Sequence, residues 1–285
     1  MMTLPSREGA RKRGRHASVV ALGKWLFEPL RTYRHQLDHF WHLYGSTPGA
    51  EASDDLRGPP HPMTSPTPFP FRAQAEVQRI LTSRMFRTGC NDIDTAEHLR
   101  YAIRHVTLQG LWLEFGVGNG ASLKVIAEQT RAQLYGFDSF EGLPEDWVRG
   151  EGRPTLPRGS FRGSPKVVPA HVTLVPGLFV DTLPHFLEKN SEVVAFMHVD
   201  CDIYTSTQAV LSSLRHKLAP GTVIVFDELF NYPNFADHEM RALLEAAAEQ
   251  GLEYEYLGYV DKCFPASSAA SLKVTGVRSC GTRTE

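Results

Sequence analysis

Short apolar runs and amphipathic stretches alternate along the chain from about residue 94 onward. The runs are rich in Val, Leu and Phe, and they have the length and composition of buried strands. Between them, apolar residues spaced three or four apart predict helices. The predicted strands are 111–115, 133–137, 172–175, 193–199 and 222–226, and the predicted helices are 94–107, 205–218 and 237–250.

This alternation predicts an α/β fold with a doubly wound, mostly parallel sheet. Two later runs, 254–259 and 270–274, are predicted to form a hairpin that closes the sheet. In such folds a ligand binds at the carboxyl ends of the strands. Polar residues that directly follow the predicted strands are therefore the candidates for a functional site.

The N-terminal quarter of the chain differs in composition from the rest. Residues 1–17 are basic and predict a disordered tail, whereas 18–50 carry aromatic and aliphatic residues at helical spacing. These accessory helices either cover a site or pair with another subunit, or they pack on their own domain. A proline-rich linker, 51–71, then leads to the main domain, 72–278, and 279–285 form a tail.

Composition narrows the class of partner. The chain of 285 residues is 42% hydrophobic, so it can bury a large core without metal or disulfide support. Its formal charge of −2 argues against a nucleic-acid partner, whose phosphates require a basic surface. Four scattered cysteines without a CxxC pair predict a reducing, cytoplasmic location. No run approaches a membrane span, so we expect a small-molecule partner and no membrane.

The segment from Glu114 to Gly120 carries the strongest local signal. Gly116, Gly118 and Gly120 let the chain turn from a strand into a helix and let a ligand lie against the backbone. About twenty residues later Asp138 ends the next strand, where a carboxylate accepts ribose hydroxyls. The pattern fits a dinucleotide or S-adenosylmethionine. Glu114 favours the latter, because a carboxylate repels a diphosphate and attracts an ammonium group.

Acidic residues follow the next two neighbouring strands of the predicted sheet. Asp200 and Asp202 come after the fourth predicted strand, and Asp227 and Glu228 after the fifth. Neighbouring strand ends lie about 5 Å apart, so Asp200, Asp227 and Glu228 can converge. One interpretation is Mg²⁺ bound by two or three of them. The other is structural, with one acid capping a helix and another paired with an arginine.

Three sequence motifs contain many of these residues, in this order: LEFGVGNGAS at 113–122, GFDSFEGLP at 136–144 and HVDCDIY at 198–204. Over about 100–244 the chain resembles class I S-adenosylmethionine-dependent methyltransferases of the macrocin O-methyltransferase type. The resemblance implies a Rossmann-like sheet of seven strands and methyl transfer to a hydroxyl, often on a natural-product sugar and commonly with Mg²⁺. Together with the aromatic N-terminal helices, it also implies a homodimer.

By position, the resemblance implies cofactor-binding residues and metal ligands. The cofactor-binding candidates are Glu114, Gly116, Gly118, Gly120, Asp138 and Ser139, and the metal candidates are Asp200, Asp227 and Glu228. Glu228 is a departure, because the best-known members have a second aspartate there. A longer side chain can still ligate, but its oxygen is displaced, so Mg²⁺-assisted and metal-free transfer both stay open.

Two histidines lie near these motifs. His238, at the first turn of 237–250, offers a general base for a metal-free mechanism, and an ordinary surface histidine is the alternative. His198 lies within an apolar strand and is interpreted as a core histidine with its hydrogen bonds satisfied.

The working hypothesis is an O-methyltransferase acting by in-line displacement, with the acceptor oxygen about 3 Å from the sulfonium methyl. Asp200 or Asp202 would accept the hydroxyl proton. A nicotinamide-dependent oxidoreductase and a catalytically inactive binding module are the competing hypotheses. The segment 147–169, rich in Gly, Pro and Arg, predicts a mobile loop that shapes the acceptor pocket.

Overall fold

The computed structural model describes residues 69–87, 93–262 and 266–278. The basic tail and accessory helices predicted before residue 51, and the tail predicted after residue 278, lie outside these ranges. No helix in the described ranges is long and apolar enough to cross a membrane.

The predicted linker 51–71 extends too far at its C-terminal end. The first described helix, α1, begins at Phe69 and includes Pro70 as its second residue. Proline is compatible with the first turn of a helix, because an N–H group there has no intrahelical acceptor. The run of prolines therefore gives way to helix before the predicted domain boundary at residue 72.

The described residues form six α-helices and eight strands. The helices are α1 (Phe69–Leu81), α2 (Ile93–Ile103), α3 (Ala121–Gln129), α4 (Phe179–Lys189), α5 (Tyr204–Ser213) and α6 (Glu239–Gln250). The strands are β1 (Arg84–Arg87), β2 (Leu111–Phe115), β3 (Leu134–Asp138), β4 (Val172–Pro176), β5 (Val194–Val199), β6 (Val223–Phe230), β7 (Leu252–Asp261) and β8 (Ser268–Val277).

All eight strands form one sheet in the order β1-β7-β8-β6-β5-β2-β3-β4. Only β8 runs antiparallel to its neighbours, β6 and β7, and the other pairings are parallel. The doubly wound, mostly parallel architecture is confirmed, and so is the C-terminal hairpin. The sheet has eight strands rather than the predicted seven, because β1 adds to the outer edge of β7.

The burial of the central strands, β2 and β5, explains why their sequences are uninterrupted apolar runs. Every residue of β2 and β5 is buried, as in a parallel strand with helices on both faces. Their side chains interlock, with Trp112 and Phe196 ring centroids 5.1 Å apart. Polar residues follow these strands at their carboxyl ends. The buried strands therefore hold the candidate site at that edge of the sheet.

Candidate active site

The glycine loop between β2 and α3 packs directly against the acidic turn after β5. Gly116 has φ +88°, and a Cβ atom there would lie 1.8 Å from the carbonyl oxygen of Asp200. Gly120, with φ +82°, precedes α3, and a Cβ atom there would lie 2.9 Å from Pro165. Both positions therefore require glycine for close packing as well as for backbone conformation.

Asp138, at the end of β3, holds the glycine loop in place. Its Oδ2 accepts hydrogen bonds from the backbone N–H groups of Val117 (2.8 Å) and Gly118 (2.7 Å). Its Oδ1 accepts one from Phe140 at 2.6 Å. A carboxylate oxygen can accept two bonds, so Oδ1 retains capacity for a further donor. The ribose contact expected of Asp138 stays a prediction, and the residue has a second task that the sequence did not indicate.

Ser139 follows Asp138 and shapes the next turn. Its Oγ donates to the carbonyl oxygen of Gly142 at 3.1 Å and accepts from the N–H of Glu141 at 3.2 Å. Together with the bonds to Asp138, these contacts fix the backbone that follows β3.

Glu114 is fully buried and faces His198 rather than open space. Its Oε1 lies 3.0 Å from His198 Nδ1, and the His198 Nε2 atom lies 4.0 Å from an Asp227 oxygen. Burial lowers the pKa of His198, but the hydrogen bond and charge of Glu114 outweigh burial and raise it to about 9. His198 is thus a core histidine with a bonded partner, as interpreted from the sequence. It also links the cofactor-loop strand to the acidic strand ends.

The two acidic strand ends lie side by side. Val199 of β5 pairs with Phe226 of β6, so Asp200 and Asp227, which follow them, occupy the same level of the sheet. Burial raises the pKa of the Asp200 carboxyl well above its usual range, and the charge of Asp227 raises it further. The carboxylates of Asp200 and Asp227 therefore repel each other, which favours a proton or a cation between them.

Glu228 and Asp202 complete the acidic cluster. Asp202 is buried with φ +63°, a left-handed conformation that is uncommon for non-glycine residues and that Asp adopts more readily than most. Burial, and then the charges of Glu228 and Asp200, raise its pKa well above the usual range. Glu228 turns toward Ser267, whose hydroxyl donates to Oε1 at 2.6 Å, while its buried Oε2 has no hydrogen-bond partner among the described residues.

In the described part of the chain, no three His, Cys, Asp or Glu side chains are arranged to hold a metal ion. Mg²⁺, however, is commonly bound by one or two carboxylates, with water and substrate oxygens completing its shell. The donor chemistry of Asp200 and Asp227 fits that smaller set. One Glu228 oxygen accepts from Ser267, and the set of Asp200, Asp227 and Glu228 as metal ligands stays a prediction.

A cavity of about 600 Å³ opens where the glycine loop and the acidic cluster meet. Seven candidate residues line it: Gly116, Gly118, Asp138, Ser139, Asp200, Asp202 and Glu228. Four others are absent from its lining: Glu114, Gly120, Asp227 and His238. Apolar residues also line it, among them Leu143 of the second motif, and Phe161 and Leu178, which lie outside the three motifs.

His238 is directed away from this cavity. It precedes α6, and its Nε2 lies 2.9 Å from the carbonyl oxygen of Val148. Its ring lies 6.3 Å from those of Trp147 and Tyr232. Burial lowers its pKa. The predicted mobile loop is thus anchored at Trp147, which is buried, and His238 contributes to that anchor.

Sequence reasoning missed Glu239, which is fully buried beneath the acidic cluster. Its Oε1 accepts from the N–H of Cys201 at 3.2 Å, and its Oε2 accepts from the N–H of Glu228 at 3.4 Å. The available signal was an acid at the start of a helix that follows the second acidic strand end.

Residues 113–229 match a protein family described as a methyltransferase domain. The glycine loop, the acidic strand ends and this match support an enzyme that transfers a methyl group from S-adenosylmethionine. The chain is similar to proteins named as O-methyltransferases, and S-adenosylmethionine is its cofactor.

Two relatives illustrate this similarity. Demethyldecarbamoylnovobiocin O-methyltransferase of Streptomyces niveus is 27% identical over 55% of this chain and 69% of its own length. The 8-demethyl-8-(2,3-dimethoxy-alpha-L-rhamnosyl)-tetracenomycin-C 4'-O-methyltransferase of Streptomyces olivaceus is 26% identical over 46% of this chain, which spans 59% of that relative. The crystal structure of CalS11, a calicheamicin methyltransferase, is 21% identical over 79% of this chain and 98% of its own, with a TM-score of 0.49.

Proposed function

We propose that this methyltransferase transfers a methyl group to a hydroxyl of a small molecule, with a glycosylated natural product as the class of acceptor. One observation carries the proposal: the glycine loop and Asp138 line the same cavity as Asp200 and Asp202. A cofactor bound by the first group therefore lies beside carboxylates that can take a proton. The two relatives, which are named for methylation of a novobiocin precursor and of a rhamnosyl tetracenomycin, support the class of acceptor.

In this proposal the backbone at Gly116 and Gly118 faces S-adenosylmethionine, and Asp138 and Ser139 lie beside its ribose. Gly120 contributes indirectly by starting α3. Glu114 also acts from outside the cavity, through its contact with His198, rather than by touching the cofactor's ammonium group. These roles refine the expectation that all six cofactor candidates contact the ligand.

The reaction is an in-line displacement. The acceptor oxygen bonds to the methyl carbon while the carbon–sulfur bond breaks, and its electron pair stays on sulfur to give S-adenosylhomocysteine. The hydroxyl proton passes to the carboxylate of Asp202 or Asp200. In its deprotonated form each carboxylate is a stronger base than an exposed one, because burial and neighbouring acids raise its pKa, and this basicity suits proton abstraction from an alcohol.

Mg²⁺ assistance is the finer part of the proposal. Asp200 and Asp227 would hold the ion, and Glu228 would support Asp202 from its position beside Ser267. When bound, Mg²⁺ would lower the pKa of the acceptor hydroxyl. The metal-free alternative with His238 as base requires that side chain to leave Val148 and enter the cavity. No observation favours it.

The expected homodimer, the absence of a nucleic-acid partner and the cytoplasmic location belong to the same proposal. The charge of −2 and the free, buried Cys201 support the last two. Light scattering coupled to size exclusion tests the dimer, because a monomeric mass would contradict it.

The first experiment is calorimetric titration of the full chain with S-adenosylmethionine, with NAD as the matched control ligand. We expect binding of S-adenosylmethionine alone. A screen of hydroxylated natural-product glycosides then follows transfer of a labelled methyl group, with and without Mg²⁺. Cofactor binding without transfer to any hydroxyl acceptor, or transfer only to nitrogen, would contradict the proposed function.

A further inference from the structure

The carboxyl ends of β5 and β6 leave backbone N–H groups without strand partners. The pairing of these two strands ends at Val199 and Phe226, and β6 pairs with β8 again only at Phe230. Cys201 and Glu228 therefore lie where the sheet opens to form the cavity. A buried N–H group without an acceptor destabilises the fold, so each of these needs a partner outside the sheet.

Glu239 provides both partners with one carboxylate. Its two oxygens accept from Cys201 (3.2 Å) and Glu228 (3.4 Å), so the side chain bridges the two strand ends. On the other side, the N–H of Asp200 donates to Phe115 of β2 at 2.8 Å. The acidic turn is thus fixed between β2 and α6.

We propose that Glu239 is a positioning residue that sets the separation of the two acidic strand ends, and with it the relative placement of Asp200 and Asp227. The proposal rests on the proposed function, in which those carboxylates hold Mg²⁺ and Asp202 or Asp200 takes the proton. Glu239 does not line the cavity. It acts only through the backbone that carries the residues that do.

A purely structural role would be served by any side chain that satisfies the start of α6. Two features argue against that. An acid at this position could interact with its own helix N-terminus, but the Glu239 carboxylate instead bonds to two distant segments, 38 and 11 residues away in the sequence. Those two segments carry all four acids of the cluster.

The test is Glu239→Gln in the full chain, with Glu249→Gln as the matched control. Glutamine has the same shape, but its amide nitrogen cannot accept from a backbone N–H. Glu249 lies on the same helix and is exposed. Mn²⁺, titrated in the presence of S-adenosylmethionine and followed by water-proton relaxation, reports the acidic site. Hydrogen exchange at the amides of Cys201 and Glu228 reports the bridge itself.

We expect Glu239→Gln to weaken Mn²⁺ binding by about 10- to 100-fold and to speed exchange at one or both amides, with unchanged affinity for S-adenosylmethionine. The control variant should match wild type in all three. Glu239→Asp keeps the charge but is too short to bridge, so it should also lose protection at one amide. It replaces the glutamine variant if that protein does not fold.

Wild-type exchange and wild-type Mn²⁺ affinity in Glu239→Gln would overturn the inference. If the wild-type chain itself fails to bind Mn²⁺, the metal part of the proposed function fails. The exchange measurement then decides the role of Glu239 on its own, because it does not depend on a metal.

Discussion

The two halves of the cavity wall differ in the surroundings of their carboxyl groups. On the cofactor side, the Asp138 carboxylate accepts three backbone N–H groups and fixes the glycine loop. On the acidic side, Asp200, Asp202 and Glu228 are carboxyls whose burial and mutual repulsion raise their pKa values. On the cofactor side, N–H donors surround the carboxylate. On the acidic side, carboxyl groups lie next to one another.

This difference teaches how one site can hold its cofactor firmly and still do chemistry. A satisfied carboxylate stabilises a loop and takes little further part in proton transfer, whereas carboxylates held together against repulsion bind protons or cations more strongly. We therefore expect substitutions on the cofactor side to change binding and folding. Substitutions on the acidic side should change turnover.

Asp200→Asn should produce the largest effect. The amide keeps the shape of the side chain but can neither take a proton nor attract a cation, so kcat should fall by about 10²- to 10⁴-fold. Affinity for S-adenosylmethionine should be unchanged. Steady-state kinetics and calorimetry measure the two quantities on the same sample.

Asp181→Asn, an exposed aspartate on α4, is the control and should keep wild-type turnover. If Asp200→Asn lost cofactor binding and turnover together, the division between the two halves would be wrong.

Gly116→Ala should break the contact between the halves. The added Cβ would lie 1.8 Å from the Asp200 carbonyl, and φ +88° disfavours any L side chain. Left-handed strain and overpacking together should lower the free energy of unfolding by about 2–4 kcal/mol. Gly152→Ala shares the strain, with φ +75°, but meets no atom within 4 Å. Urea denaturation that shows equal losses in both variants would rule out the packing contact as the cause.

Much of the fold was predictable because its strands are short, continuous apolar runs. β2 was predicted with its observed ends, and β3 to β6 within a few residues. β1 was not predicted, since it has only four residues, RMFR, and its partner β7 lies far along the chain. Helix α4 was also missed, because Pro184 lies inside it.

The site was predictable only in its motifs. The glycines and acids that follow the strands could be located, since parallel strand ends must meet at one edge of the sheet. The directions of the side chains could not be predicted. Nothing in the sequence shows that Glu114 faces His198, that Glu228 faces Ser267, or that Glu239 bridges two backbone segments. Those choices depend on tertiary packing.

Asp138→Asn tests the cofactor half without adding bulk. An amide has one accepting oxygen, so at least one of the N–H groups of Val117, Gly118 and Phe140 loses its partner. An unsatisfied donor costs about 1–3 kcal/mol, which corresponds to a loss of about 5- to 150-fold in S-adenosylmethionine affinity.

The control for this change is Asp146→Asn. Asp146 also accepts a backbone N–H, from Arg158 at 2.8 Å, but on an exposed loop. Calorimetry should show normal cofactor affinity in that variant. An equal loss of affinity in both variants would mean that the loop contact of Asp138 has no special role.

The smallest expected effect concerns pH and the acidic half. Raised pKa values mean that the folded state keeps protons that the unfolded state releases above pH of about 4, so stability falls as the pH rises through the folded pKa. His98 changes the pH dependence of stability in the opposite direction. Burial lowers its pKa to about 4, so its contribution to stability is lost only as the pH falls below 6.5. Between 6.5 and about 8, His198, whose pKa is raised to about 9, also keeps a proton that the unfolded chain releases, so it adds to the decline in stability that the acids cause.

Glu228→Gln removes one of these acids and should make the decline in unfolding free energy across that range shallower by about 1 kcal/mol. The measurement is urea denaturation at several pH values in the absence of divalent cations, with Glu249→Gln as the control. Added Mg²⁺ should flatten the wild-type profile, because a bound cation replaces the protons that the cluster otherwise needs. A wild-type profile that is already flat without cations would show that the acidic half is as well satisfied as the cofactor half, and the contrast between them would fail.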